Sequence, residues 1–207
     1  MALECYSDLN EMHIDFLREI GNIGSGRAAT SLSQMLGKVV DIAIPDVGIV
    51  GYDEALDKLG GTASVMVGIL LMIKIDLHGM LVFLLPEDVA CNLINQLMLT
   101  DIHNHSEIDE MGFSAIQEMA NIMSASFVNA ISEMTGLTID ISPPSSTVDM
   151  LGSIMSVPAI HFAQMGDKLL YIKNDLEIAQ RKTPANILLL PDAESLEKLM
   201  KSFGIEI

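Results

Sequence analysis

Asp15-Phe16-Leu17-Arg18-Glu19-Ile20-Gly21-Asn22 recurs ninety-nine residues later as Ser114-Ala115-Ile116-Gln117-Glu118-Met119-Ala120-Asn121. A proline follows each copy at one distance, Pro45 and Pro144. The offset also aligns Ile23 with Ile122, Ser25 with Ser124, Ser33 with Ser132, Met35 with Met134, Gly37 with Gly136 and Asp41 with Asp140. Two copies of this length indicate a pseudo-twofold duplication, since a solenoid needs three or more short repeats. Further along, Leu84-Leu85-Pro86 matches Leu189-Leu190-Pro191 at an offset about six residues larger, so the second half carries an insertion.

Apolar residues at three- and four-residue spacing run from Ile14 to Met35 and from Phe113 to Met134, which predicts two amphipathic helices. The first stripe has Gly21, Gly24 and Ala28 where the second has Ala120, Met123 and Phe127. Such a match of small against large suits a close crossing of the two helices. Gly21, Gly24 and Gly26 follow no strand, so they read as helix packing rather than a phosphate loop. Gly37 and Gly136 are expected as left-handed caps.

Strands are predicted over 39–44 and 138–141, with Pro45 and Pro144 at their exits. A hairpin is predicted from 63–75 and 80–85, followed by a helix to about Leu99. Its counterpart is 168–179 and 185–190, with a helix from Asp192 to Phe203. Residues 100–108 read as a polar linker between halves of about 10–100 and 109–207. Neither half can bury its apolar runs alone. The expectation is a single α+β domain with a shared antiparallel sheet and both motif helices packed on it. Asp149-Met150-Leu151 reads as the start of a short helix with no clear counterpart after Pro45.

At 207 residues and 50% hydrophobic content the chain can build a substantial core. A net charge of −17 disfavours nucleic acid and anionic membranes as partners. The longest apolar run, Val65 to Ile73, is too short to span a bilayer. The N-terminus lacks the basic and apolar regions of a signal peptide, so a cytoplasmic protein is expected. Cys5 and Cys91 read as inert thiols, and no metal site is expected from the linker histidines His103 and His105. The fifteen methionines read as core filler.

Residues at i, i+4 and i+7 share one helix face, so Asp15, Glu19 and Asn22 form one ridge, and Ser114, Glu118 and Asn121 another. Asn is a poor helix-interior residue, and finding it twice at matched sites asks for a reason. The ridge holds no nucleophile–base pair. It can pair a carboxylate with a cation and hold a water on a carboxamide.

The pattern Asp/Ser-x₃-Glu-x₂-Asn-x₂₂-Pro resembles the signature of the CheC, CheX and FliY phosphatases of bacterial and archaeal chemotaxis, and the chain matches it twice. Two copies in about 200 residues is similar to the CheC arrangement. The resemblance implies hydrolysis of the aspartyl phosphate of the response regulator CheY. It implies that Asn22 and Asn121 orient the water while Glu19 and Glu118 pair with a receiver lysine. Asp15, Ser114, Pro45 and Pro144 would support them. Mg²⁺ would come from the receiver, with no cofactor of the chain's own. The region of Asp149 resembles the surface that binds the receptor deamidase CheD. The alternative is a non-catalytic or weakly catalytic adaptor for CheD or a flagellar switch component. The sequence speaks against the switch component, since it shows no added N-terminal peptide or C-terminal domain and both copies keep Glu and Asn.

Overall fold

The computed structural model describes residues 9–42, 46–161, 168–173, 176–178, 181–183 and 186–205. Pro45, Cys5 and the expected strand ends Ala43, Ile44, Ala179 and Ala185 lie outside the described residues.

The two long helices form where the apolar period placed them, α1 over Glu11–Leu36 and α4 over Glu110–Thr135. Each begins at a matched polar cap. Asn10 accepts a hydrogen bond from the His13 backbone N–H, and the His13 ring accepts one back from the Asn10 N–H. Asp109 accepts from the Gly112 N–H at 2.8 Å. These bonds satisfy donors that a helix start leaves open. Gly37 and Gly136 end the helices at φ values of 62° and 71°, a backbone region costly for side chains with a Cβ.

In the first half, α1 is followed by β1 (Val40–Ile42), β2 (Asp46–Gly51), α2 (Tyr52–Lys58), β3 (Val65–Ile75), β4 (Gly79–Pro86) and α3 (Glu87–Met98). In the second half, α4 is followed by β5 (Ile139–Ile141), β6 (Ser145–Met150), α5 (Leu151–His161), β7 (Lys168–Lys173), β8 (Leu176–Ile178), β9 (Arg181–Thr183), β10 (Asn186–Pro191) and α6 (Ala193–Ser202). The linker folds into one 3₁₀ turn at His105–Glu107.

All the strand pairs among the described residues are antiparallel, and β4 meets its counterpart β10, where Phe83 faces Ile187 and Leu81 faces Leu189. Strand β3 pairs with β4 on one side and with β5 and β6 on the other. The halves exchange strands symmetrically: β5 and β6 of the second half lie on β3 of the first, and β1 and β2 of the first lie on β8 and β7 of the second. Leu81, Phe83 and Ile187 face α1 and α4, lining one small cavity with Ser25, Ala28, Met123 and Phe127. The opposite face is covered too. A Cβ on Gly68 would lie 2.8 Å from Ile154, so α5 sits directly on β3. Burial of both faces explains the unbroken apolar runs of β4 and β10, which lack the polar alternation of a half-exposed strand.

Asp76, in the β3–β4 turn, ties the halves together. Its carboxylate accepts from the Thr138 N–H at 2.8 Å and from the Lys198 ammonium at 2.9 Å. The Lys198 bond leads in holding this carboxyl below its ordinary range, with the Thr138 N–H next.

The structure corrects three expectations. Helix α2 does have the place of α5, because Tyr52 and Leu151 keep the ninety-nine-residue offset. Asp149 does not cap a helix: it lies in β6 opposite Met66, and its carboxylate accepts from the adjacent Met150 N–H. Methionine is not only core filler. Met66, Met80, Met119, Met123, Met155 and Met200 are buried, but Met12, Met111 and Met150 are exposed.

Candidate functional site

The motif side chains stand on the solvent faces of α1 and α4. Their apolar neighbours fix this orientation. Leu17 and Ile20 are buried beside Asp15 and Glu19, as Ile116 and Met119 are beside Ser114 and Glu118. Asp15, Glu19, Asn22, Ser114 and Glu118 are exposed, and Asn121 is half-buried. Glu19, Asn22, Glu118 and Asn121 make no hydrogen bond or ion pair with other side chains among the described residues. Four polar groups held in order on rigid helices, with their bonding capacity unspent, are suited to a partner molecule.

The supporting residues differ between the copies. Asp15 pairs with Arg18, one turn along. The residue matching Arg18 is Gln117, whose amide donates to Ser146 Oγ at 2.8 Å and fastens α4 to β6. Pro144 is half-buried in the short break between β5 and β6. Just before it, Ser142 bridges that break to β3, donating its N–H to Met72 O at 2.8 Å and accepting from the Met72 N–H at 2.9 Å. A proline fits such an interruption because no ladder donor is needed there. Pro45, its match, lies outside the described residues. The Gln117–Ser146 bond is not legible in the residues, because no local pattern links a helix face to a strand 29 residues on.

The two helices cross at close range. A Cβ on Gly24 would lie 2.5 Å from the Phe127 ring, so only glycine leaves room for that ring. Arg27 is bonded to Glu133 at 2.6 Å, and Ser31 Oγ lies 2.6 Å from Ser126 Oγ. Partner numbers fall from 133 to 126 as α1 advances from 27 to 31, so the helices cross antiparallel. Each motif occupies the half of its helix before the crossing. The two ridges therefore lie on opposite sides of it.

His105 is tied to the first turn of α3, its backbone N–H and ring both bonded to Glu87. Its backbone bond leads in holding the Glu87 carboxyl below the ordinary range. Among the described residues, no three His, Cys, Asp or Glu side chains converge to hold a metal ion. No helix of the described residues is long and apolar enough to cross a membrane. Cys91 is buried, and burial pushes its thiol pKa up.

A model of the CheC-like family matches residues 12–49 and 111–148, two segments separated by the same offset as the motifs. The chain is 30% identical over 210 residues to the CheY-P phosphatase CheC of Bacillus subtilis (strain 168), covering 99% of this chain and all of that one. It is 32% identical to the flagellar motor switch phosphatase FliY of the same organism, over 66% of this chain and 36% of that protein. The crystal structure of Thermotoga maritima FliY superposes with a TM-score of 0.76 at 25% identity, covering 95% of this chain and 98% of that one.

Proposed function

This chain belongs to the CheC-like family, and on that premise we propose that it is a cytoplasmic phosphatase that hydrolyses the aspartyl phosphate of CheY at two sites. The observation that carries the reading is the duplicated pair of unpartnered Glu and Asn side chains on exposed helix ridges.

Phosphoryl transfer passes through a loose transition state, so a catalyst contributes mainly position and electrostatics. Asn22 and Asn121 can each accept from a water and donate to a phosphoryl oxygen, which fixes the water in line with phosphorus. Holding one water this way supplies several kcal/mol of the barrier through orientation alone, with no general base. Glu19 and Glu118 lie one turn away and supply a negative charge for a basic group of the receiver. Any Mg²⁺ in the reaction belongs to the receiver and is part of the substrate. The chain's own charge of −17 favours a basic docking face on that partner.

Reversing both charges, Glu19→Lys with Glu118→Lys, is expected to raise the concentration of chain needed for half-maximal dephosphorylation by at least about tenfold. An unchanged concentration dependence would remove the docking role of these carboxylates.

A second reading, an adaptor surface for CheD, is favoured by exposed apolar side chains on β3, β6 and α5 that flank Asp149 in the chain or the sheet. Met150 and Val65 are paired in register, and Val157 and Ile160 follow on α5; all four are exposed. Asp149→Lys should weaken capture of purified CheD by about tenfold, and equal capture would remove this surface.

A further inference from the structure

We infer that Met12 and Met111 are apolar anchors by which each ridge grips the protein that brings the phosphoryl group. The inference rests on the phosphatase reading for the partner's identity, and on the following geometry for the contact itself.

Both methionines are well exposed, at 61% and 64%, and they occupy matched positions. Among described residues that are exposed and identical in both halves, they are the only pair with an apolar side chain. The others have local or polar roles: Glu11 and Glu110 lie in the first helical turn, where the helix dipole favours a carboxylate, and Gly37 and Gly136 are caps. Neither methionine caps a helix or enters the core. Of the thirteen described methionines, six are buried and three more pack against the core, so exposure at two matched sites points outward, to a partner.

Their position names that partner. Residues 12, 15, 19 and 22 fall within about 80° of helix circumference and about 15 Å along the axis. Met12 stands at one end of the ridge, Asn22 at the other, and Glu19 between them; Met111, Glu118 and Asn121 repeat the order. A footprint of that length fits a protein surface and exceeds a phosphate group alone. An exposed ion pair made by Glu contributes little affinity in water. A flexible, polarizable Met side chain entering an apolar depression contributes much more. The receiver should therefore carry such a depression about 15 Å, nearly three helical turns, from its phosphorylated aspartate. Because each Met sits far from the water held by Asn, it stabilises ground state and transition state alike. Its loss affects half-saturation and leaves the maximal rate intact.

The test compares wild type, Met12→Ser with Met111→Ser, and Met12→Leu with Met111→Leu. Binding to CheY activated with beryllium fluoride is measured alongside loss of phosphate from CheY-P. The Ser pair should raise both the dissociation constant and the half-saturating concentration by about tenfold or more, with a maximal rate within about twofold of wild type. The Leu pair should stay within about threefold of wild type throughout. Unchanged binding by the Ser pair overturns the anchor, as does a lowered maximal rate at unchanged half-saturation. If wild type binds CheY but does not hasten phosphate loss, the phosphatase reading falls, and the binding comparison still decides the anchor.

Discussion

Asn22→Ala combined with Asn121→Ala should return the decay of phosphorylated CheY to its intrinsic rate, a loss of about a hundredfold or more of the added activity. Asn22 is exposed and Asn121 half-buried, and neither belongs to the core, so alanine removes the carboxamide without disturbing the packing. Each single change should leave the other ridge working. The copies are not identical, since Arg18 is spent on Asp15 while Gln117 braces Ser146, so the two single variants should differ from each other. Asn→Asp at both positions keeps the shape but puts a negative charge against the phosphoryl oxygens and removes the amide donor. It should fail as fully as alanine. Decay of radiolabelled CheY-P with each variant measures all of these.

The second large effect concerns the scaffold. An alanine in mid-helix ordinarily stabilises by about 0.5–1 kcal/mol over glycine. At position 24 the sign should reverse, because the new Cβ would lie 2.5 Å from the Phe127 ring. Gly24→Ala should destabilise by about 1–3 kcal/mol through overpacking. Phe127→Ala should cost about 3–5 kcal/mol through the void it leaves. The two residues meet directly, so the double variant should lose clearly less than the sum. Denaturant unfolding of the four proteins gives the coupling; strict additivity would mean the helices do not cross on this contact.

The helices and the hairpin core were legible because their signals are local and strong. The apolar period and the glycines at 37 and 136 agree on α1 and α4, while the caps at Asn10 and Asp109 emerge only in the folded chain. A close crossing of small residues on α1 against large ones on α4 was also readable, but that Gly24 meets Phe127 shows only in the folded chain. Strands β2, β6 and β9 were not. Ser145-Ser146-Thr147-Val148-Asp149-Met150 has few apolar residues, since β6 lies along the outer side of β3 with its side chains largely exposed. Its strand character comes from pairing with β3, which no local pattern records. Helix α2 has only seven residues, below the length at which periodicity speaks.

The candidate site was selected for a different reason. A lone Glu and Asn on a helix say little, but a fixed offset between two copies selects them from ordinary surface. The same offset selected Met12 and Met111, which composition alone assigned to the core. Only their exposure in the folded chain separates them from the other methionines.

The most direct measurement is the rate at which purified CheY-P loses its phosphate as wild-type chain is added in substoichiometric amounts. Faster loss with multiple turnovers per chain is expected, saturating as CheY-P is raised. A decay rate unchanged at any concentration of the chain would contradict the phosphatase reading.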